Sequence, residues 1–132
     1  DIERRAKFYG FDAKVPAPYP LTQFDLANQI AILGMNEGWG VKYVVKTYQR
    51  WFQQGKEPAV EPNLTEILEE LNLDTSKIME RAQDPKINHQ YIKNTEHAYK
   101  KGVFGSPSFI YKGEVFWGDD RLEDCIKWSK LN

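Results

Sequence analysis

The chain has 132 residues, 41% of them hydrophobic and 28% charged, with a formal net charge of −1 at pH 7. That length suits one domain with a real core, no run is apolar enough to span a bilayer, and the scattered Lys and Arg form no basic block. Nucleic acid and membrane are therefore excluded as expected partners. The single cysteine, Cys125, permits neither an intrachain disulfide nor a Cys-x-x-Cys pair; with no recognisable signal peptide, a soluble protein in a reducing, cytoplasmic setting is expected.

Asp1 through Tyr9 reads as a helix ended by Gly10, with no methionine before it, so the chain is expected to start mid-domain. Val15-Pro16-Ala17-Pro18-Tyr19-Pro20 forms a stiff connector, since each proline fixes φ and biases its predecessor toward extended geometry. Thr22 and Asp25 have the spacing of a capping box, opening a helix whose face of Leu26, Ile30, Leu33 and Met35 runs out near Gly38 and Gly40. Val41, Val44, Val45, Tyr48, Trp51 and Phe52 recur at spacings of three and four and predict an amphipathic helix despite their β-branched character. Asn63 with Glu66 caps a helix carrying Leu64, Ile67, Leu68 and Leu71, and Asp74 opens another with Ile78 and Met79. These four segments are expected to form a helical subdomain.

Asp84-Pro85 combines an N-cap with proline at the first helical position, and the helix it starts carries Ile87, Tyr91, Thr95 and Ala98 down to the terminating Gly102. Ser108–Tyr111 and Glu114–Trp117 around Lys112-Gly113 predict a hairpin with a two-residue turn. A last helix is expected from about Asp120 to Leu131, with Leu122, Cys125, Ile126 and Trp128 inside. Two short strands make no stable sheet alone, so partner strands are expected from sequence before Asp1 or, less simply, from another chain.

Chemistry concentrates near the end. Pro107, just before a strand, cannot donate to a ladder; a cis Ser106-Pro107 bond would free the Ser106 N–H and C=O to pair with an extended peptide. A trans proline at a strand start is the commoner alternative. Gly118-Asp119-Asp120-Arg121 sets a residue without a side chain beside a helix N-terminus, so that backbone N–H groups reach a carboxylate while Asp119 or Asp120 pairs with an ammonium. An amino-acid zwitterion such as the γ-glutamyl end of glutathione would fit; plain capping by aspartate is the alternative. Cys125 reads as a core residue, and His89 and His97 as surface or packing residues without a metal partner at ligand spacing. Trp39, Tyr43, Tyr48 and Trp51 line either an aromatic pocket or, more simply, the core. The remaining Lys and Arg read as solvated faces.

Gly102-Val103-Phe104-Gly105-Ser106-Pro107-Ser108-Phe109 and Glu114-Val115-Phe116-Trp117-Gly118-Asp119-Asp120-Arg121-Leu122 resemble the end of the 2-hydroxychromene-2-carboxylate isomerases and their kappa-class glutathione transferase relatives, within the DsbA-like thioredoxin superfamily. Asp1–Arg4, Phe8-Tyr9-Gly10, the proline-rich connector and Asn94-Thr95-Glu96 extend the likeness along the chain. The resemblance implies an α/β, DsbA-like thioredoxin fold with residues 1–101 as a mainly helical insertion (connector 11–21) and 102–132 as the C-terminal part of the thioredoxin-like domain. The sheet is expected to be incomplete, because the family's N-terminal strand-helix-strand lies upstream of Asp1.

It further implies a bacterial, glutathione-dependent isomerase of aromatic hydrocarbon catabolism, working as a homodimer on a small aromatic substrate. Pro107 would be the cis-proline, Ser106 would pair through its backbone with the cysteinyl unit, and Gly118, Asp119 and Asp120 would hold the γ-glutamyl group. The catalytic serine would lie upstream of Asp1, leaving no catalytic residue within the chain and little activity in it alone. Two alternatives are a DsbA-like thiol-disulfide oxidoreductase and a non-catalytic binding module that dimerises through its sheet edge.

Overall fold

A computed structural model describes residues 1–131 of the chain, which fold into two compact units: Asp1–Tyr91 and a second beginning at Ile92. The division falls inside a helix. In chain order the first unit contains α1 (Ile2–Phe8), α2 (Phe24–Glu37), α3 (Gly40–Gln54), α4 (Asn63–Glu70), α5 (Thr75–Ala82) and the start of α6 (Pro85–Lys100). The second contains the end of α6, β1 (Ser108–Tyr111), β2 (Glu114–Trp117), a 3-10 turn (Asp119–Arg121) and α7 (Leu122–Leu131).

The core of the first unit is aliphatic. Ile30 and Leu33 of α2, Leu64, Ile67 and Leu68 of α4, Ile78 and Ala82 of α5 and Ile87 of α6 close around the buried phenol of Tyr43. Burial pushes that phenol up to about 12 despite a neighbouring Thr47 hydroxyl. Tyr43 is thus a core residue, and Trp39 stands edge-on to it with ring centroids 6.1 Å apart.

The α2–α3 corner rests on three glycines. Gly38, at φ 87°, ends α2 in the left-handed conformation. Past it the chain folds back so closely that a Cβ on Gly34 would stand 2.7 Å from the Gly40 Cα and 2.7 Å from the Trp39 ring. The Gly40 Cα faces the Gly34–Met35 backbone, which cannot give way.

Capping separates the local readings from the distant ones. Asp74 caps α5 by accepting from the Lys77 N–H at 3.1 Å, and Asp84 accepts from the Lys86 N–H at 2.8 Å, as expected. Thr22 does not cap α2: its hydroxyl donates to Glu57 Oε1 at 2.8 Å and its N–H to the same oxygen. Asn63 does not cap α4 either, because it lies inside the helix and its amide donates to the Glu57 carbonyl at 2.9 Å. Glu61 serves that helix instead, accepting from the Thr65 N–H and hydroxyl at 3.2 and 3.0 Å.

Helix α3 is amphipathic but turned relative to the periodic reading. It buries Gly40, Tyr43 and Thr47, whereas Val41, Val45 and Tyr48 are exposed. The close Gly34–Gly40 approach determines which face turns inward, and the apolar stripe lies beside it. At the far end of α3 the connector docks: Trp51 Nε1 donates to the Pro18 carbonyl at 2.8 Å and the Lys14 N–H to the Phe52 carbonyl at 2.5 Å.

Arg50, which the sequence placed on a solvated face, is largely covered and bridges Glu66 and Glu70 on α4. Lys46 joins Glu70, and Lys56 joins Glu66 at 3.1 Å. Burial opposes the charge on Arg50, but the two carboxylates outweigh it and hold its pKa up. Glu66 is held low chiefly by Arg50 and then Lys56, and Glu70 chiefly by Lys46 and then Arg50.

Two predictions follow from this packing. Gly34→Ala should lower the unfolding free energy by about 1–3 kcal/mol in urea titrations, the range for forcing a methyl into a closed contact. The network also carries a pH signature: carboxylates with lowered folded-state pKa contribute stability above the ordinary glutamate value of 4.5 and lose it as pH falls through the folded value. Thermal melts between about pH 5 and pH 3 should therefore fall more steeply in the parent protein than in Arg50→Gln; parallel curves would show that the network does not couple to folding.

Candidate functional site

The site is built from the hairpin and its flanks. β1 and β2 pair antiparallel with Ser108 opposite Trp117, Phe109 opposite Phe116, Ile110 opposite Val115 and Tyr111 opposite Glu114. Lys112 (φ 48°) and Gly113 (φ 88°) both hold positive φ, the requirement of a type I′ turn, whose twist matches that of the strands it joins. Strand bounds and turn are those read from sequence.

The ladder continues beyond the strand ends. The Gly118 N–H donates to the Pro107 carbonyl at 3.0 Å, so the residue after β2 is tied to the residue before β1. The Ser106-Pro107 bond is cis. The Ser108 hydroxyl donates back to the Gly105 carbonyl at 2.6 Å and holds the turn shut from inside. Ser106 and Pro107 are both exposed at its outer edge.

Gly118 has φ 117° and ψ 152°, a conformation essentially restricted to glycine. The Asp120 side chain folds back over it: a Cβ on Gly118 would stand 2.6 Å from Asp120 Oδ1. The absent side chain lets the Asp120 carboxylate pack against the bare Gly118 Cα, so that backbone and carboxylate meet in one small cradle. The 3-10 turn begins here with Asp119 and Asp120, and the Arg121 N–H returns to the Gly118 carbonyl at 3.1 Å. Arg121 pairs with Asp124 at 3.0 Å. Ser106, Pro107, Gly118, Asp119 and Asp120 therefore lie within one structural unit, with Pro107 and Gly118 hydrogen bonded to each other.

Trp117 had no role assigned from sequence. Its indole crosses from β2 to lie over Gly105, where a Cβ would stand 2.9 Å from Trp117 Cδ1 and Cε2 and closer still to Nε1. Phe104 joins it with ring centroids 5.2 Å apart at 56°. The available signal was a glycine immediately before Ser106-Pro107, in a segment facing a tryptophan across a hairpin. Cys125 is buried on α7, as expected for a core residue.

A family model described as the DSBA-like thioredoxin domain matches residues 1–127. The chain belongs to that family. It is similar to 2-hydroxychromene-2-carboxylate isomerases from Sphingobium xenophagum (28% identity, 93% of this chain and 62% of the relative) and Pseudomonas putida (25% identity, 92% and 59%). One from Pseudomonas sp. (strain C18) matches at 25% identity over 100% of this chain and 62% of its own. The chain thus spans about three fifths of the length of these curated relatives.

Among solved structures, the selenomethionine form of a 2-hydroxychromene-2-carboxylate isomerase superposes with a TM-score of 0.72 at 23% identity, covering 100% of this chain and 68% of that one. At that identity the likeness speaks for the fold. The DsbA-like thioredoxin fold expected from sequence is therefore present, here as helices with a two-stranded antiparallel sheet among the described residues. No helix among those residues is long and apolar enough to cross a membrane.

The Gly118 cradle yields a direct test. Gly118→Ala should cost about 1–3 kcal/mol of stability, because it forces alanine into a glycine-only conformation and its methyl onto the Asp120 carboxylate. Unchanged urea midpoints would mean that the turn relaxes freely.

Proposed function

We propose that this chain carries the peptide-gripping part of a glutathione-dependent isomerase acting on 2-hydroxychromene-2-carboxylate or a close analogue, in a reducing cytoplasmic setting. The observation that carries the reading is the Pro107–Gly118 hydrogen bond, which joins an exposed Ser106-Pro107 edge to the Gly118–Asp120 cradle. An extended tripeptide thiol suits both: Ser106 offers backbone N–H and C=O to its cysteinyl unit, and the cradle offers backbone and carboxylate to a zwitterionic end.

Glycine at position 118 lets the Asp120 carboxylate sit against the backbone there, so a charged acceptor and main-chain polar groups are presented together. Asp119 and Asp120 would hold an ammonium, and the N–H groups opening the 3-10 turn a carboxylate. When bound, glutathione supplies a thiolate able to add reversibly to a conjugated substrate, chemistry that consumes no oxidant. The protein's own residues orient the peptide and fix the position of its cysteinyl unit. Cys125, buried on α7, is no rival for that sulfur.

The names and coverage of the curated relatives support the isomerase reading over a dithiol oxidoreductase. Isothermal titration should detect glutathione binding, and Asp120→Asn should weaken it about tenfold, as expected for losing one charge-assisted contact. Absence of heat at millimolar glutathione would refute the binding claim, and an unaltered affinity in the variant would remove Asp120 from it.

A further inference from the structure

Two residues paired across the hairpin both reach back to Gly105. Ser108 stands opposite Trp117 in the ladder. From β1 the Ser108 hydroxyl donates to the Gly105 carbonyl at 2.6 Å, and from β2 the Trp117 indole lies over the Gly105 Cα, where a Cβ would stand 2.9 Å from its Cδ1. The indole thus requires glycine at this position, and glycine restricts its own torsions least of all residues. A peptide unit that begins at glycine turns over easily unless something holds it. The hydroxyl supplies that hold.

Its effect reaches past the carbonyl. The Gly105-Ser106 bond is trans and planar, so the Gly105 C=O and the Ser106 N–H are opposite ends of one rigid unit and point in opposite directions. Anchoring the carbonyl toward Ser108 therefore directs the N–H away from it. The Pro107 carbonyl is also engaged from within, by the Gly118 N–H at 3.0 Å, and Pro107 has no N–H to offer. No group among the described residues takes up the Ser106 N–H or C=O.

We propose that Ser108 is a positioning residue whose hydroxyl, acting through the Gly105 carbonyl, keeps the Ser106 N–H turned outward to pair with the backbone of a thiol peptide. This role rests on the thiol-peptide reading above and adds to it the group that sets the donor's direction. Without the hydroxyl, the half-buried Gly105 carbonyl loses its partner and the unit gains by turning over toward water, which carries the Ser106 N–H inward. Peptide affinity then falls with the fraction of molecules that keep the N–H outward.

The test is nuclear magnetic resonance on the full chain. The residual dipolar coupling of the Ser106 N–H is measured in the free protein, and glutathione is then titrated into the parent, Ser108→Ala and Ser108→Thr. Expected in Ser108→Ala are a changed Ser106 coupling and about threefold to tenfold weaker glutathione binding, the range for losing one neutral hydrogen bond. Ser108→Thr keeps the hydroxyl and should return both toward the parent values. The Gly118 N–H, bonded to Pro107, reports on the hairpin itself and should keep its coupling in all three proteins.

A Gly118 coupling that moves together with that of Ser106 would show a merely structural role and overturn the proposal. So would an unchanged Ser106 coupling in Ser108→Ala, or an affinity loss that Ser108→Thr fails to recover. Glutathione that binds the parent and Ser108→Ala equally removes Ser108 from the site while leaving the proposed function standing. Absence of binding to the parent refutes the thiol-peptide reading, and with it the role of Ser108 toward that ligand.

Discussion

The hydrogen bond between the Pro107 carbonyl and the Gly118 N–H organises the second unit. Pro107 has no N–H to give, so its carbonyl is the only backbone group through which it can join the ladder. Once that bond forms, β1 and β2 extend by one pairing beyond Ser108 and Trp117, and residues on either side of the hairpin become neighbours. The exposed Ser106 edge, the indole over Gly105 and the Asp120 carboxylate over Gly118 all take their positions from it. Such an arrangement needs little sheet, which is why four-residue strands suffice to build it.

The first unit follows a different logic. Its fold depends on backbone proximity at Gly34 and Gly40, after which aliphatic side chains from four helices fill the space around Tyr43. Glu57 ties the loops together, receiving the Thr22 N–H and hydroxyl through its carboxylate and the Asn63 amide through its carbonyl. The Arg50 network then clamps α3 to α4 across one side of that core.

What could be read from the sequence was what is decided within a few residues. The hairpin was legible because aromatic and β-branched residues flank Lys112-Gly113, and α5 and α6 because Asp74 and Asp84 cap their own next turn. Thr22 and Asn63 looked like caps for the same reason, but two oxygens of Glu57, its carboxylate for Thr22 and its carbonyl for Asn63, engage their side chains instead. The inward face of α3 was illegible because backbone approach at Gly40, not the apolar period, selects it. Among the site residues, Ser106, Pro107, Gly118, Asp119 and Asp120 were visible as motifs. The Trp117–Gly105 contact was not, since it depends on where an indole lies across a ladder.

The burial of Cys125 bears on more than packing. An accessible cysteine that attacks glutathione disulfide gains a glutathionyl adduct and releases one reduced glutathione. Here the sulfhydryl lies on the inner side of α7, so exchange has to wait for that helix to lift away. The rate at which an alkylating reagent labels Cys125 then becomes a clock for local opening of the unit that carries the site.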